Sequence, residues 1–169
     1  MDKTKAIILH SEGRITNKKL LSVFSCTEDG LPKTIIEMLD EAINDKSSEK
    51  IEESIYLISV FNLYNKNYSN YFNRLILEDW HNRHEDIASA LQRIKDPASV
   101  DYLFKAMHKK LDYLEYDDSY AFAVKCIWAL GAIRDNNAID KLKLLTESKN
   151  EIISSNAKEQ LKSIIQRVN

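Results

Sequence analysis

The sequence predicts an all-α fold built from stacked helical hairpins, and three observations carry that expectation. Glycine and proline are scarce, 3 and 2 in 169 residues, so few tight turns are available to close strand hairpins. Apolar residues recur at three- and four-residue intervals through most of the chain, the spacing that lays one apolar face along a helix. The second half also repeats itself. A shift of 39 residues aligns Ala90-Leu91 with Ala129-Leu130, Ile94 with Ile133, Asp96 with Asp135, Val100 with Ile139, Asp101 with Asp140 and Leu103 with Leu142. In each copy a helix ends at Ile-Lys or Ile-Arg, an Asp stands where an N-cap is wanted, and a second helix begins; Pro97 takes the favoured first helical position in the first copy.

Residues 1–15 stay open, because Ala6-Ile7-Ile8-Leu9 suits either a short strand or the first turn of a helix. Thr16 or Asn17 can cap a short helix carrying Leu20, Leu21, Val23 and Phe24, which stops in the turn Thr27-Glu28-Asp29-Gly30. Pro32 opens the next, with Ile35, Ile36, Leu39 and Ile43 on one face and Asp40 and Glu41 on the other. After the polar run 44–50, Ser48 precedes Ile51, Ile55, Ile58 and Val60 in a third helix that ends near Asn65-Lys66-Asn67. A fourth carries Tyr68, Tyr71, Phe72, Leu75 and Ile76 and runs into Trp80. The chain is thus read as one domain over 1–169: N-terminal helices in 1–50, then hairpins at about 51–80, 84–111 and 119–147. A final helix over 151–167 closes the stack, with Ile153, Ala157, Leu161 and Ile164 inward and Lys158, Glu159, Lys162, Gln166 and Arg167 outward.

The stretch Ser119 to Arg134 is the centre of this arrangement. Its eight residues Cys126 to Ile133 carry no charge, and a helix apolar all round is expected to be buried on all sides. Gly131 inside it would cost about 1 kcal/mol relative to Ala in an exposed helix, so its use is to let a second helix approach closely.

Composition excludes several classes. Hydrophobic residues at 44% and charged residues at 30% describe a globular chain, and a net charge of −2 gives no overall attraction to nucleic acid or anionic lipid. The N-terminal apolar stretch Ala6 to Leu9 is too short for a signal peptide, and no segment approaches the roughly 20 apolar residues of a membrane span, so a cytoplasmic address is expected. Cys26 and Cys126 have no metal-type spacing and are expected as free thiols. There is no Gly-rich phosphate loop and no nucleophile elbow, hence no enzymatic activity and no cofactor is expected.

Two constellations carry polar chemistry. His81, His84 and Glu85 share a helix face, but the order H-x-x-H-E matches neither zincin motif nor its inverse. The expectation is no metal: Trp80, His81 and His84 lie at a helix junction, where ring nitrogens satisfy backbone groups, and Glu85 and Asp86 occupy a first helical turn as the dipole prefers. The second constellation is the acidic and aromatic stretch Asp112, Tyr113, Glu115, Tyr116, Asp117 and Asp118. It suits contact with a basic protein, the tyrosines supplying buried area and the carboxylates steering. Trp80, His84 and Asp86 are expected as its neighbours, and Asp118 or Ser119 as the N-cap of the central helix.

The segments Leu91 to Leu103 and Ala129 to Leu142, each with leucine, isoleucine, aspartate, a small residue and leucine in order, resemble HEAT-like repeats over residues 84–165. That resemblance implies a short right-handed α-solenoid with a capping C-terminal helix. More narrowly, Trp80 to Ala88, Tyr113 to Asp118 and Lys125 to Gly131 look like small bacterial HEAT proteins found beside polymorphic or contact-dependent toxins. This implies an immunity protein, a monomer when free, that blocks a cognate toxin with a basic cleft such as a nuclease, without binding nucleic acid or membrane itself. A HEAT-scaffold DNA glycosylase-like enzyme is the alternative, and a bilin-lyase-like or general scaffold a third. Duplex binding would require a Lys/Arg stripe, which the acids at 112–118 oppose.

Overall fold

In the computed structural model, which describes residues 1–166, the chain forms ten α-helices and no strand among the described residues. Arg167, expected on the outer face of the last helix, lies outside them. No described helix is long and apolar enough to cross a membrane. The chain read as one domain divides by its internal contacts into two compact units, Met1–Leu63 and Tyr64–Asn169, so that the expected hairpin 51–80 takes an arm from each.

The first unit holds α1 (Lys3–Ser11), α2 (Asn17–Val23), α3 (Leu31–Asp45) and α4 (Ser48–Val60). The N-terminus, open between strand and helix in the sequence, is helical because the Asp2 carboxylate accepts from the Lys5 N–H at 2.7 Å and starts the first turn. Thr16 caps α2 as expected, and Ser47 caps α4. Leu20, Leu31, Ile35, Leu39, Ile51, Leu57 and Ile58 are fully buried, with α3 packed along α4 and α1 on α2 and α4. The His10 ring spans them, 2.8 Å from the Tyr56 hydroxyl and 2.8 Å from Asn17 Oδ1. Cys26, a free thiol, is partly exposed here.

The second unit begins with a 3-10 turn at Lys66–Tyr68 and continues through α5 (Ser69–Leu75), α6 (His84–Ile94), α7 (Val100–Ala106), α8 (Ala121–Ile133), α9 (Asn136–Thr146) and α10 (Glu151–Gln166). Helices α6, α8 and α10 pack side by side in that order; α5 packs on α6 and α7, α7 on α8 and α9, and α9 on α8 and α10. The caps read from the 39-residue repeat are present: Asp96 accepts from Ala98 N–H at 3.1 Å before the 3-10 turn Pro97–Ser99, and Asp135 from Ala138 N–H at 2.7 Å. The helix ends match as well. Lys95 and Arg134, equivalent in the repeat, both close their helices in the left-handed region, at φ 57° and 63°.

Cys126, Ile127, Ala129 and Leu130 are fully buried, as the uncharged run of α8 predicts. Gly131 fulfils its expected use: a Cβ there would lie 2.9 Å from the Cβ of Gln160, so only glycine lets α10 pass at this distance. Trp128 corrects the expectation of burial on all sides. It is 42% exposed, because position 128 faces a concavity walled by α6 and α10, and its indole N–H donates to Asn156 Oδ1 at 3.0 Å.

The fourth helix also departs from expectation, ending at Leu75 well before Trp80. Leu77 and Glu78 N–H donate to the third residue back, Arg74 and Leu75, which tightens and ends the helix, and residues 77–83 follow as an irregular link into α6.

Candidate functional site

The link between α5 and α6 is built around two buried histidines that take over backbone groups left by the broken helix. The His81 Nε2–H donates to Leu75 C=O at 2.8 Å while its Nδ1 accepts from Arg83 N–H at 3.1 Å. The His84 Nε2–H donates to Glu78 C=O at 2.7 Å, which leaves Nδ1 to accept from the Tyr113 hydroxyl at 2.9 Å. All four ring nitrogens therefore hold hydrogen-bond partners. The rings stack at 4.3 Å, Trp80 meets His81 edge-on at 4.9 Å, and Phe122 of α8 meets His84 edge-on at 5.5 Å. Burial keeps both imidazoles neutral: it lowers His81 and depresses His84 to about 4. Desolvation pushes the Tyr113 phenol up to about 12, with Glu85 and Asp86 adding to the rise, so it stays a donor.

Lys109 fixes the link from its other side, its ammonium donating to Leu77 C=O at 2.7 Å and to the Asp79 carboxylate at 2.6 Å. The lysine partner holds Asp79 below the usual carboxylate range. A backbone segment without regular structure is thus held by side chains from three places in the sequence.

Tyr113 carries this order into the acidic segment. It lies in the 3-10 turn Asp112–Leu114, its ring stacked 5.7 Å from His84 and still 45% exposed. Tyr116 is 91% exposed, and Asp112, Glu115 and Asp118 are exposed beside it. The N-cap position of α8 is Tyr120, correcting the expectation of Asp118 or Ser119, and the side chain that serves the helix start is Asp117: its carboxylate accepts from Ser119 N–H at 3.0 Å, from the Ser119 hydroxyl, and from Ala121 N–H at 2.8 Å. Those bonds, the Ser119 hydroxyl foremost, hold Asp117 below its ordinary value. The tight connection puts Tyr120 at φ 53°, a left-handed conformation that costs a bulky L-residue about 1–2 kcal/mol. Beside it lies a cavity of about 670 Å³ with Leu111, Leu114, Phe122 and Ile153 in its walls together with the four carboxylates; Lys109 and Lys110 are also in its lining.

Of the residues expected in the site, the structure joins His84 to Tyr113 directly and Trp80 to them through the His81 ring. His84 has no exposed surface and cannot touch a partner; this corrects its expected contact role, and the ring instead positions Tyr113. Asp86 is exposed and 3.8 Å from Arg83. The parts the sequence did not single out are Lys109 and the wall residues Phe122 and Ile153.

A second concavity of about 670 Å³ lies elsewhere on this unit. Its lining follows the repeat: Ser89, Gln92, Arg93 and Lys95 of α6 and its end correspond, 39 residues on, to Trp128, Gly131, Ala132 and Arg134 of α8 and its end. Gln160 and Ser163 of α10 complete it. Comparison of the chain with protein-family models, with curated proteins and with solved structures finds no match in any of the three.

Proposed function

We propose that the protein is a non-catalytic binding module that uses the segment Asp112 to Asp118 to dock a basic protein. One observation carries this reading. Among the described residues, none of Asp112, Glu115, Asp117 and Asp118 pairs with a lysine or arginine, whereas Asp79, Glu85, Asp86 and Asp101 of the same unit each do. Uncompensated carboxylates steer a cationic surface, and the exposed Tyr113 and Tyr116 offer aromatic area that becomes favourable when covered. The adjacent cavity gives a protruding side chain of the partner an apolar floor with acids around it. Because His84 and Asp117 hold the segment in shape, little ordering is left to be done on binding.

Within this proposal the second unit is a short right-handed α-solenoid of HEAT-like hairpins, a geometry supported by the parallel caps and helix ends of the two copies. The class of partner follows the resemblance to immunity proteins: a bacterial toxin of nuclease type, neutralised in the cytoplasm by covering a basic cleft. The product of the adjacent gene is the partner to test. Co-expression should rescue growth from its toxicity, and the triple variant Asp112→Asn, Glu115→Gln, Asp118→Asn should slow association at low salt and flatten its salt dependence with the helical signal intact. Tyr116→Ala should act on dissociation instead. Undiminished association of the triple variant would remove this surface from consideration; a neighbouring product that is neither toxic nor bound would remove the immunity reading.

A further inference from the structure

We infer that the concavity at the C-terminal ends of α6 and α8 is a binding site for a nucleoside monophosphate. Among the described residues, Arg93, Lys95 and Arg134 contribute to its wall, and no carboxylate does. Among the described residues none of the three is in an ion pair: Arg93 lies over the Tyr64 ring at 4.5 Å, and the Arg134 Nε–H donates to Gly131 C=O at 3.2 Å. Helix C-termini attract cations for their own sake, so the charges must be weighed against that. Each helix end contributes about half a negative charge. Two such ends offset about one of the three positive charges, leaving about +2 facing a shared space. A phosphate monoester carries about −1.5 to −2 near neutral pH, which matches that surplus, whereas a single carboxylate does not.

The remaining wall suits the rest of such a ligand. The indole edge of Trp128 is already committed to Asn156, which leaves the ring's face as what an exposed tryptophan can offer, a stacking surface indifferent to base identity. Gln92 and Gln160 bring amides that both donate and accept, as the edge of a base requires. The volume of about 670 Å³ falls in the range of small-ligand sites. A nucleic-acid strand, by contrast, needs cations along a track, and here the surplus is gathered at two neighbouring helix ends. The site is distinct from the acidic segment, which adjoins the start of α8 while Arg134 closes its end.

The test uses the full chain and AMP, with the Trp128 indole N–H resonance, identified by its absence in Trp128→Phe, as the reporter. AMP should shift this resonance saturably with a Kd below about 1 mM. Ribose 5-phosphate, lacking the base, and adenosine, lacking the phosphate, should each bind about tenfold more weakly. Arg134→Gln should weaken AMP by about tenfold; since Arg134 also closes α8, the exposed Arg93→Gln provides a second variant that leaves the helix end untouched. Failure of millimolar AMP to shift the resonance would overturn the proposal, as would unchanged AMP affinity in both arginine variants. Ribose 5-phosphate binding as tightly as AMP would overturn the stacking role of Trp128 and with it the nucleoside. An oligonucleotide that displaces AMP and binds more tightly would replace the free nucleotide by a nucleic-acid strand.

Discussion

At the scale of single residues, Gly131 and His84 carry the sharpest consequences. Gly131→Leu places a side chain where Gln160 already stands, and overfilling of this kind costs about 1–3 kcal/mol or more; urea unfolding should show a lower midpoint with the slope preserved. His84 makes stability depend on pH. Its folded ring, depressed from 6.5 to about 4 chiefly by burial, refuses a proton that the unfolded chain accepts. The stabilisation is therefore complete above the unfolded value and is lost as pH falls through the window from 6.5 to about 4, a span worth about 3 kcal/mol. His81 shifts in the same direction. Denaturant midpoints measured at neutral pH and near pH 4 should differ accordingly; equal midpoints would mean that the ring titrates freely. The histidines' service to backbone groups at a helix junction was legible from Trp80, His81 and His84 alone. That Tyr113 would supply the last hydrogen bond was not, because 29 residues separate it from His84 and only packing brings them together.

At the scale of elements, caps were the most legible features and connections the least. Asp96 and Asp135 stand where the repeat places them, since a cap is a local contract between a side chain and an N–H two or three residues on. Asp135→Ala should lower stability by about 0.5–2 kcal/mol through α9 alone, read as a thermal shift without loss of helical signal in the folded baseline. The start of α8 lies one or two residues beyond the expected cap, because three acceptors follow one another at Asp117, Asp118 and Ser119 and only the left-handed turn at Tyr120 selects the first. The end of α5 departs from the sequence pattern for a related reason. Apolar spacing continues through Ile76, while the carbonyls of Leu75 and Glu78 are claimed by rings that arrive from further along the chain. Lys95 and Arg134 were visible as equivalent residues, but the net positive charge they build emerges only once the two helix ends lie in the same wall.

At the scale of the whole molecule, helical composition followed from scarce glycine and proline and from regular apolar spacing, and the regular structure of the described residues is helical. The division after Leu63 was not legible, because Asn65-Lys66-Asn67 reads as an ordinary turn between the arms of a hairpin; only the distribution of contacts reveals it. It gives the protein a property that needs no engineering. Each compact unit contains one thiol, Cys26 in the first and Cys126 in the second, and neither is in a disulfide. Burial raises the pKa of both thiols, Cys126 far more, since it is sealed inside α8. A thiol reagent consequently finds two clocks in one chain: one partly open to solvent, the other started only when α8 leaves its neighbours. Mass spectrometry of labelled peptides under rising urea should show Cys26 modified first and Cys126 at the rate at which the second unit opens. If the two were modified in step, the units would be dynamically one body, and ligands that close the Trp128 concavity would slow both clocks together.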